Sequence, residues 1–148
     1  MPPPSFQLRN ARPEDHDFLW QLKRQTMRSY VEKTWNRWND AEQKDWFSRY
    51  FAPEAAQIIV VDGRSAGRLE VTRSPQEMTL GTIEVSPEFQ SQGVGAAVIT
   101  SLQTEAKSAA VPLRLQVLKA NPRARQLYQR LGFTTTGENA THHLMAWP

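Results

Sequence analysis

The spacing of hydrophobic and polar residues changes along the chain, and each spacing is typical of one kind of element. Alternating residues indicate strands, and apolar residues repeated every three or four positions indicate amphipathic helices. Pro13 suits a first helical turn, Pro53 stops a helix, and Gly132 follows one. The pattern predicts, in order, a strand at residues 6–9, helices at 13–31 and 40–52, strands at 58–61, 66–71 and 78–85, a helix at 94–109, a strand at 113–117, a helix at 122–131, and strands at 133–137 and 141–147. Asp40 is expected to cap the second helix, after a polar link at residues 35–39.

Short turns between consecutive strands predict how the sheet is connected. Asp62-Gly63 is a turn dipeptide of hairpins, so the strands on either side of it should be antiparallel. The strand at 113–117 follows a helical crossover and is expected to be parallel to its predecessor, in which Gly81 indicates a bulge or a close approach. The prediction is a single α+β domain over residues 1–148, with a central mixed, mostly antiparallel sheet of about seven strands flanked by about four helices.

Composition excludes several classes of protein. The chain of 148 residues can form one core, and its lack of cysteine excludes disulfides, thiolate metal sites and cysteine nucleophiles. The three histidines have no metal-ligand spacing, so no metal is expected. The N-terminus does not have the pattern of a secretory signal, and the longest run without a polar side chain, at 93–99, is far shorter than the roughly 20 residues of a membrane span. These features predict a cytoplasmic protein that does not bind a membrane.

The charge is weakly basic, with 18 basic and 15 acidic residues and a net charge of +3. The basic residues are scattered, whereas nucleic-acid binding requires a clustered basic face, so no nucleic-acid partner is expected. A mild basic surplus can still raise the local concentration of an anionic ligand.

The turn at residues 90–95, with glycine at 93 and 95, has the chemistry of a phosphate site. A strand followed by a tight glycine turn and a helix presents free N–H groups and the positive end of the helix dipole to an anion. A dinucleotide fingerprint would need a small residue where Val98 stands, and a P-loop would need Gly-Lys-Ser or Gly-Lys-Thr, which the chain lacks. The turn therefore indicates a pyrophosphate of another kind of nucleotide.

Residues 85–95 resemble the acetyl-CoA motif of the GNAT superfamily of N-acetyltransferases, in which Arg or Gln is followed by two residues, Gly, one residue, and Gly or Ala. The second motif of that family is matched by Asn121, Ala124, Tyr128 and Leu131-Gly132-Phe133. The resemblance implies that the two central parallel strands splay apart and that pantetheine lies between them. It implies acetyl-CoA as co-substrate, with no metal, held by Val85 (through its main chain), Gln90, Ser91, Gln92, Gly93, Val94, Gly95, Ala96, Asn121, Ala124 and Tyr128.

The reaction that the resemblance implies is direct attack of a primary amine, of a small molecule or a peptide, on the acetyl thioester. Tyr128 is the candidate proton donor to the leaving sulfur, although it also fits the apolar stripe of its helix. Glu70 and Glu84 are the candidate proton acceptors, but alternation does not say which face either occupies. The position at which some family members carry a glutamate base corresponds to Thr79, so deprotonation through water stays open.

The acceptor is expected to bind between the first two helices. The candidate residues there are Tyr30, Glu32, Trp35 and Trp38, whose tryptophans could equally pack the helices onto the sheet. A non-catalytic acetyl-CoA sensor is the alternative function, and a homodimer is left open.

Overall fold

The protein, described here by a computed structural model over residues 4–148, consists of seven strands and four α-helices. The strands are β1 (Gln7–Asn10), β2 (Gln57–Val61), β3 (Arg64–Arg73), β4 (Met78–Val85), β5 (Leu113–Leu118), β6 (Thr134–Glu138) and β7 (His142–Trp147). The helices are α1 (His16–Trp35), α2 (Asp40–Arg49), α3 (Val94–Ala109) and α4 (Pro122–Arg130).

All seven strands form one sheet in the order β1-β2-β3-β4-β5-β7-β6. Neighbouring strands are antiparallel except β4 and β5, which are parallel and joined by the crossover through α3. This confirms the predicted α+β fold with a mixed, mostly antiparallel sheet.

Helices cover both faces of the sheet, because successive strand residues point in opposite directions. Ile58 packs in a cluster with Leu19 of α1 and Phe47 of α2. Its neighbour Ile59 belongs to the larger cluster, which contains Val98 of α3. Both isoleucines are fully buried, and burial of such a side chain contributes about 1.5–3 kcal/mol.

A bulge interrupts β4 at Gly81, as the glycine in that strand predicts. Glu70 of β3 lies opposite Thr82, and the next residue, Val71, lies opposite Leu80, so Gly81 is left over. A residue inserted in this way bends its strand and increases the local twist.

The two parallel strands separate directly after this bulge. Their last pair is Leu80 with Leu115, beyond which β4 continues beside β3 until Val85 lies opposite Gly67. Over the same stretch β5 continues beside β7 as far as Leu118. The expected splay of the central strands is therefore confirmed, and it leaves a gap between the second half of β4 and the end of β5.

The first helix is longer than predicted. Helix α1 runs to Trp35 instead of ending near residue 31, and Asn36 stops it with φ of 57° and an N–H that donates to the Glu32 carbonyl at 2.7 Å. No proline or glycine interrupts residues 32–35, so the helix continues until asparagine adopts the left-handed conformation that ends many helices.

The cap of α2 is one residue earlier than predicted. Asn39 is the N-cap, because its Oδ1 accepts a hydrogen bond from the N–H of Glu42 at 3.0 Å. Asp40 is instead the first helical residue, where a carboxylate is favoured by the helix dipole, and its Oδ2 lies 2.9 Å from Nη2 of Arg24.

The expectation about a secretory signal depends on residues 1–4, of which 1–3 lie outside the described residues. Within residues 4–148, no helix combines the length and the apolar character needed to cross a bilayer.

Gly67→Ala is expected to destabilise the protein, because a Cβ at this position would overlap the backbone carbonyl oxygen of Glu84 and lie 3.2 Å from Cδ1 of Ile59. A backbone oxygen cannot turn aside as a side chain can, so the expected loss is about 1–3 kcal/mol in the free energy of unfolding. Gly81→Ala is the matched control, since its Cβ would lie 3.5 Å from the Glu70 carbonyl oxygen, an ordinary contact. Urea denaturation measures the free energy of unfolding of both variants. Equal values for the two variants would contradict the close approach of Gly67 to the Glu84 carbonyl oxygen.

Candidate active site

The segment between β4 and α3 forms a tight turn whose backbone is available to a ligand. Ser91 and Gly93 adopt φ of 63° and 81°, and Gly93 directly precedes α3. None of residues 4–148 caps α3 through its side chain, and the first turn of the helix contains no acidic residue. Because the first N–H groups of a helix have no intrahelical partner, this turn can bind an anion, as its sequence predicts.

A cavity of about 430 Å³ opens at this turn, and we call it the turn cavity. Gly95 leaves the wall beside α3 free of a side chain, and a Cβ built there would lie 3.9 Å from Cγ2 of Val85. Arg123 and Arg130 of α4 also line the cavity, and Nη2 of Arg123 donates to Oγ of Ser91 at 3.0 Å. Free backbone donors and two guanidinium groups together suit phosphate oxygens.

A second cavity, of about 530 Å³, lies between the sheet and helices α1 and α2, and we call it the aromatic cavity. Trp35, Trp46 and Tyr50 line it and are 54%, 56% and 62% exposed, respectively. Rings of this size normally lose water on folding, so their exposure around a cavity indicates a surface for an apolar ligand group.

The two cavities meet where β4 and β5 have separated. The residues that line both are Met27, Ile83, Glu84, Asn121, Ala124 and Tyr128. A group bound in one cavity can therefore reach a group bound in the other at this junction, and the ionisable side chains there are Glu84 and Tyr128.

The carboxyl group of Glu84 is buried and lies among charged groups. It faces Arg68 across the β3–β4 pair, with Oε1 at 3.8 Å from Nη1, and Thr26 Oγ1 donates to Oε2 at 3.4 Å. Burial raises the pKa of Glu84, while the positive charges of Arg68 and Lys23 oppose that rise. A carboxylate with a raised pKa is a better proton acceptor than an exposed one.

Glu70 lies two residues from Arg68 on β3 and therefore on the same face of the sheet as Arg68. Its Oε1 accepts from Nη2 of Arg68 at 2.6 Å and its Oε2 from Oγ1 of Thr82 at 3.0 Å. Glu70 lines the aromatic cavity but not the turn cavity. Both oxygens of Glu70 are thus engaged within the protein, and Glu70 is not among the residues that line both cavities.

Tyr128 is buried on α4, where its ring packs edge-on against Phe133 with 5.8 Å between centroids. Within residues 4–148 its hydroxyl makes no hydrogen bond, and burial raises the pKa of Tyr128 to about 12. The hydroxyl is therefore protonated at neutral pH and can donate a hydrogen bond to a ligand. Asn121 caps the same helix, as predicted, with Oδ1 accepting from the N–H of Ala124 at 3.2 Å.

Most residues expected at the donor lie around the turn cavity. Those that line it are Val85, Gln90, Ser91, Gly93, Val94, Gly95, Ala96, Asn121, Ala124 and Tyr128. Gln92 lies outside the lining, because its Nε2 donates to the carbonyl of Glu88 at 2.9 Å. Nε2 of Gln90 donates to the Val85 carbonyl at 2.8 Å and so engages one of the main-chain groups expected to meet pantetheine.

The residues expected around the acceptor are dispersed. Trp35 lines the aromatic cavity, whereas Tyr30 lines the turn cavity. Glu32 is directed along α1, where its Oε1 accepts from Nε of Arg28 at 2.8 Å. Trp38 lies away from both linings and stacks on Trp20, with 6.2 Å between ring centroids.

Thr79, which stands where some family members carry a glutamate base, lies opposite Thr72 and beside Arg114. This is the part of β4 that still pairs with β5, so Thr79 lies outside the linings of both cavities.

Several charged residues of the two cavities were missed by the sequence analysis. On strands β3 and β4, the alternation in Arg68-Leu69-Glu70 and Thr82-Ile83-Glu84 does place the polar residues of each strand on one face. The missing information was which face α1 covers, because only packing brings Lys23 and Thr26 over that face. The other missed residues are the cavity arginines Arg123 and Arg130.

Comparison with known families gives one clear match. The family described as acetyltransferase (GNAT) family matches residues 16–133, which include the glycine turn, the junction and α4.

Solved acetyltransferases share the fold at low sequence identity. The PaiA N-acetyltransferase of Thermoplasma acidophilum, solved in complex with coenzyme A, is 15% identical, with a TM-score of 0.76 over 96% of this chain and 98% of its own. An acetyltransferase of Thermus thermophilus is 15% identical, with a TM-score of 0.75 over 100% and 99%. The ribosomal-protein-S18-alanine N-acetyltransferase of Escherichia coli is 22% identical, with a TM-score of 0.67 over 97% and 94%. Likeness at this level establishes the fold of the chain.

Proposed function

Because the chain belongs to the acetyltransferase (GNAT) family, we propose that it transfers the acetyl group of acetyl-CoA directly to a primary amine of a small molecule or peptide. The observation that carries this proposal is the junction of the two cavities, where Glu84 and Tyr128 both lie. One cavity there has the groups to hold a donor, and the other has room for an acceptor.

The turn cavity fits the donor. Its backbone N–H groups at the start of α3 and the guanidinium groups of Arg123 and Arg130 can hold the phosphates. The gap between β4 and β5 provides main-chain groups for the extended pantetheine arm, with Asn121 beside it. When bound, acetyl-CoA supplies an activated acetyl thioester. A site built in this way directs the thioester towards the junction.

Glu84 is the proton acceptor in this mechanism. An alkylamine with a pKa of about 10.4 is mainly charged at neutral pH and must lose a proton before it can attack. Glu84 borders both cavities, has a raised pKa, and has an Oε1 without a hydrogen-bond partner among residues 4–148. Glu70 is a weaker candidate, since both of its oxygens are engaged by Arg68 and Thr82.

Tyr128 stabilises the negative charge that develops on the leaving sulfur. With its pKa raised to about 12, the hydroxyl is a weaker acid than a thiol, whose pKa is about 8.5. Complete proton transfer from Tyr128 is therefore unfavourable, and its contribution is a hydrogen bond donated to the sulfur. The nitrogen of the ammonium group loses two protons on becoming an amide: Glu84 accepts one and solvent accepts the other. The nitrogen–carbon bond forms as the carbon–sulfur bond breaks, and solvent protonates the thiolate.

Glu84→Gln is expected to lower turnover by about 100-fold or more, measured as thiol release from acetyl-CoA in the presence of primary amines. The amide keeps the shape of the side chain but cannot accept the proton. In the parent protein, turnover should also fall on acidification as Glu84 is protonated, and this limb should begin at a higher pH than an ordinary glutamate would give, because its pKa is raised. The acidic limb should be missing from the variant.

Glu105→Gln is the matched control, since Glu105 lies on α3 outside both linings and pairs with Arg73. Equal turnover of Glu84→Gln and the parent protein would assign deprotonation to water. If the protein binds coenzyme A but releases no thiol from acetyl-CoA in the presence of any amine, the non-catalytic sensor is supported instead.

Tyr128→Phe is expected to lower kcat by about 100-fold while changing the Kd for coenzyme A little. The variant keeps the ring that packs on Phe133 and removes a hydroxyl that has no hydrogen-bond partner among residues 4–148, so the fold should be retained. Steady-state kinetics and calorimetric titration measure the two quantities. An unchanged kcat would contradict the role assigned to Tyr128, whereas equal losses of binding and turnover would indicate a structural role.

A further inference from the structure

Lys23 of α1 places a positive charge in the aromatic cavity. Its side chain is half-buried, and its Nζ lies 5.2 Å from the ring centroid of Trp46 and 5.7 Å from that of Phe47. Two aromatic faces at these distances attract the ammonium group and restrict its position. Lys23 is therefore held at the cavity instead of extending into solvent.

No residue among 4–148 forms an ion pair within 4.0 Å of Lys23 or a hydrogen bond with it. Burial lowers the pKa of Lys23, the charge of Glu84 raises it, and the charge of Arg68 lowers it. The ammonium group has three donors, and a partly desolvated charge is unfavourable until such donors are satisfied. An anionic ligand group would satisfy them.

The other charges of the cavity have partners or a role in the reaction. Arg68 pairs with Glu70 at 2.6 Å and lies 3.8 Å from Glu84, and Glu70 is also bound by Thr82. Glu84 is needed as the proton acceptor. Lys23 thus influences the pKa of Glu84 through its charge, but its ammonium group has no ion-pair or hydrogen-bond partner of its own among residues 4–148.

We propose that the acceptor carries a carboxylate in addition to its amine, and that Lys23 binds this carboxylate. The acceptor class is then an amino acid with a large apolar side chain, whose amine reaches the junction while the side chain packs against the rim formed by Trp35, Trp46 and Tyr50. This inference rests on the proposed function. A polyamine lacks the carboxylate that Lys23 would bind in this account and so gains nothing from that contact.

Phenylalanine and phenethylamine, which differ by the carboxylate, form the test pair in the thiol-release assay. The parent protein is expected to prefer phenylalanine in kcat/KM by about 10- to 100-fold. Lys23→Met should abolish this preference mainly through KM, and Lys23→Arg should restore it. Lys44→Met, on the exposed surface of α2, is the control and should retain the parent preference.

Binding of the acetylated products gives a second readout that needs no turnover. N-acetylphenylalanine should bind the coenzyme A complex of the protein about 10- to 100-fold more tightly than N-acetylphenethylamine does. Tryptophan fluorescence measures the binding of each product. Lys23→Met should remove the difference. If phenethylamine is acetylated as well as phenylalanine, the carboxylate inference fails while the proposed function stands. If no amine is acetylated, the proposed function fails, and the product-binding preference still decides whether Lys23 selects a carboxylate. Equal binding of the two products would overturn the inference.

Discussion

The extra residue in β4 is the constraint on which the rest of the site depends. Gly81 has no partner on β3, and the strand bends there, immediately after the last pair with β5. In an uninterrupted parallel pair, the main-chain groups of both strands would be used within the sheet. Here the strands separate over residues 81–85 and 116–118, which opens a gap through the middle of the domain. The turn cavity and the aromatic cavity meet at this gap.

Glu84 lies on the separated part of β4, and its surroundings come from β3 and α1. Glu84 of β4 lies opposite Arg68 of the neighbouring strand β3, and α1 covers the same face of the sheet with Thr26 and Lys23. Burial raises the pKa of this carboxyl group, whereas the two cations oppose that rise and favour the carboxylate. A group with these opposing influences can accept a proton and lose it again in each catalytic cycle. Lys23, whose ammonium group has no ion pair within 4.0 Å among residues 4–148, is the cation that the proposed carboxylate of the acceptor would contact.

The order of elements and the conformation of the glycine turn were predictable because they depend on local signals. The glycines at 93 and 95, the cap at Asn121 and the glycine in β4 each specify a backbone conformation that neighbouring residues reveal. The acceptor side depends on tertiary packing. Trp38 stacks on Trp20 and Glu32 pairs with Arg28, and a single sequence does not reveal these contacts.

The same dependence on tertiary packing explains why the charged residues of the aromatic cavity were only partly recognised. Glu70 and Glu84 were candidates on predicted strands, but their different surroundings follow from register and from the face that α1 covers. Lys23 gave no signal in the sequence, because its position over two aromatic rings depends on the packing of α1 against α2.

Amide hydrogen exchange of the full chain with and without coenzyme A tests the central claim, that the donor binds in the gap between β4 and β5 at the start of α3. Main-chain groups that pair with the ligand should exchange more slowly when it is bound. Protection should appear at residues 82–85 and 94–96, with little change at the closed end of β4 and β5 around Leu80 and Leu115. Tight binding of coenzyme A with unchanged exchange at residues 82–85 and 94–96 would contradict this account.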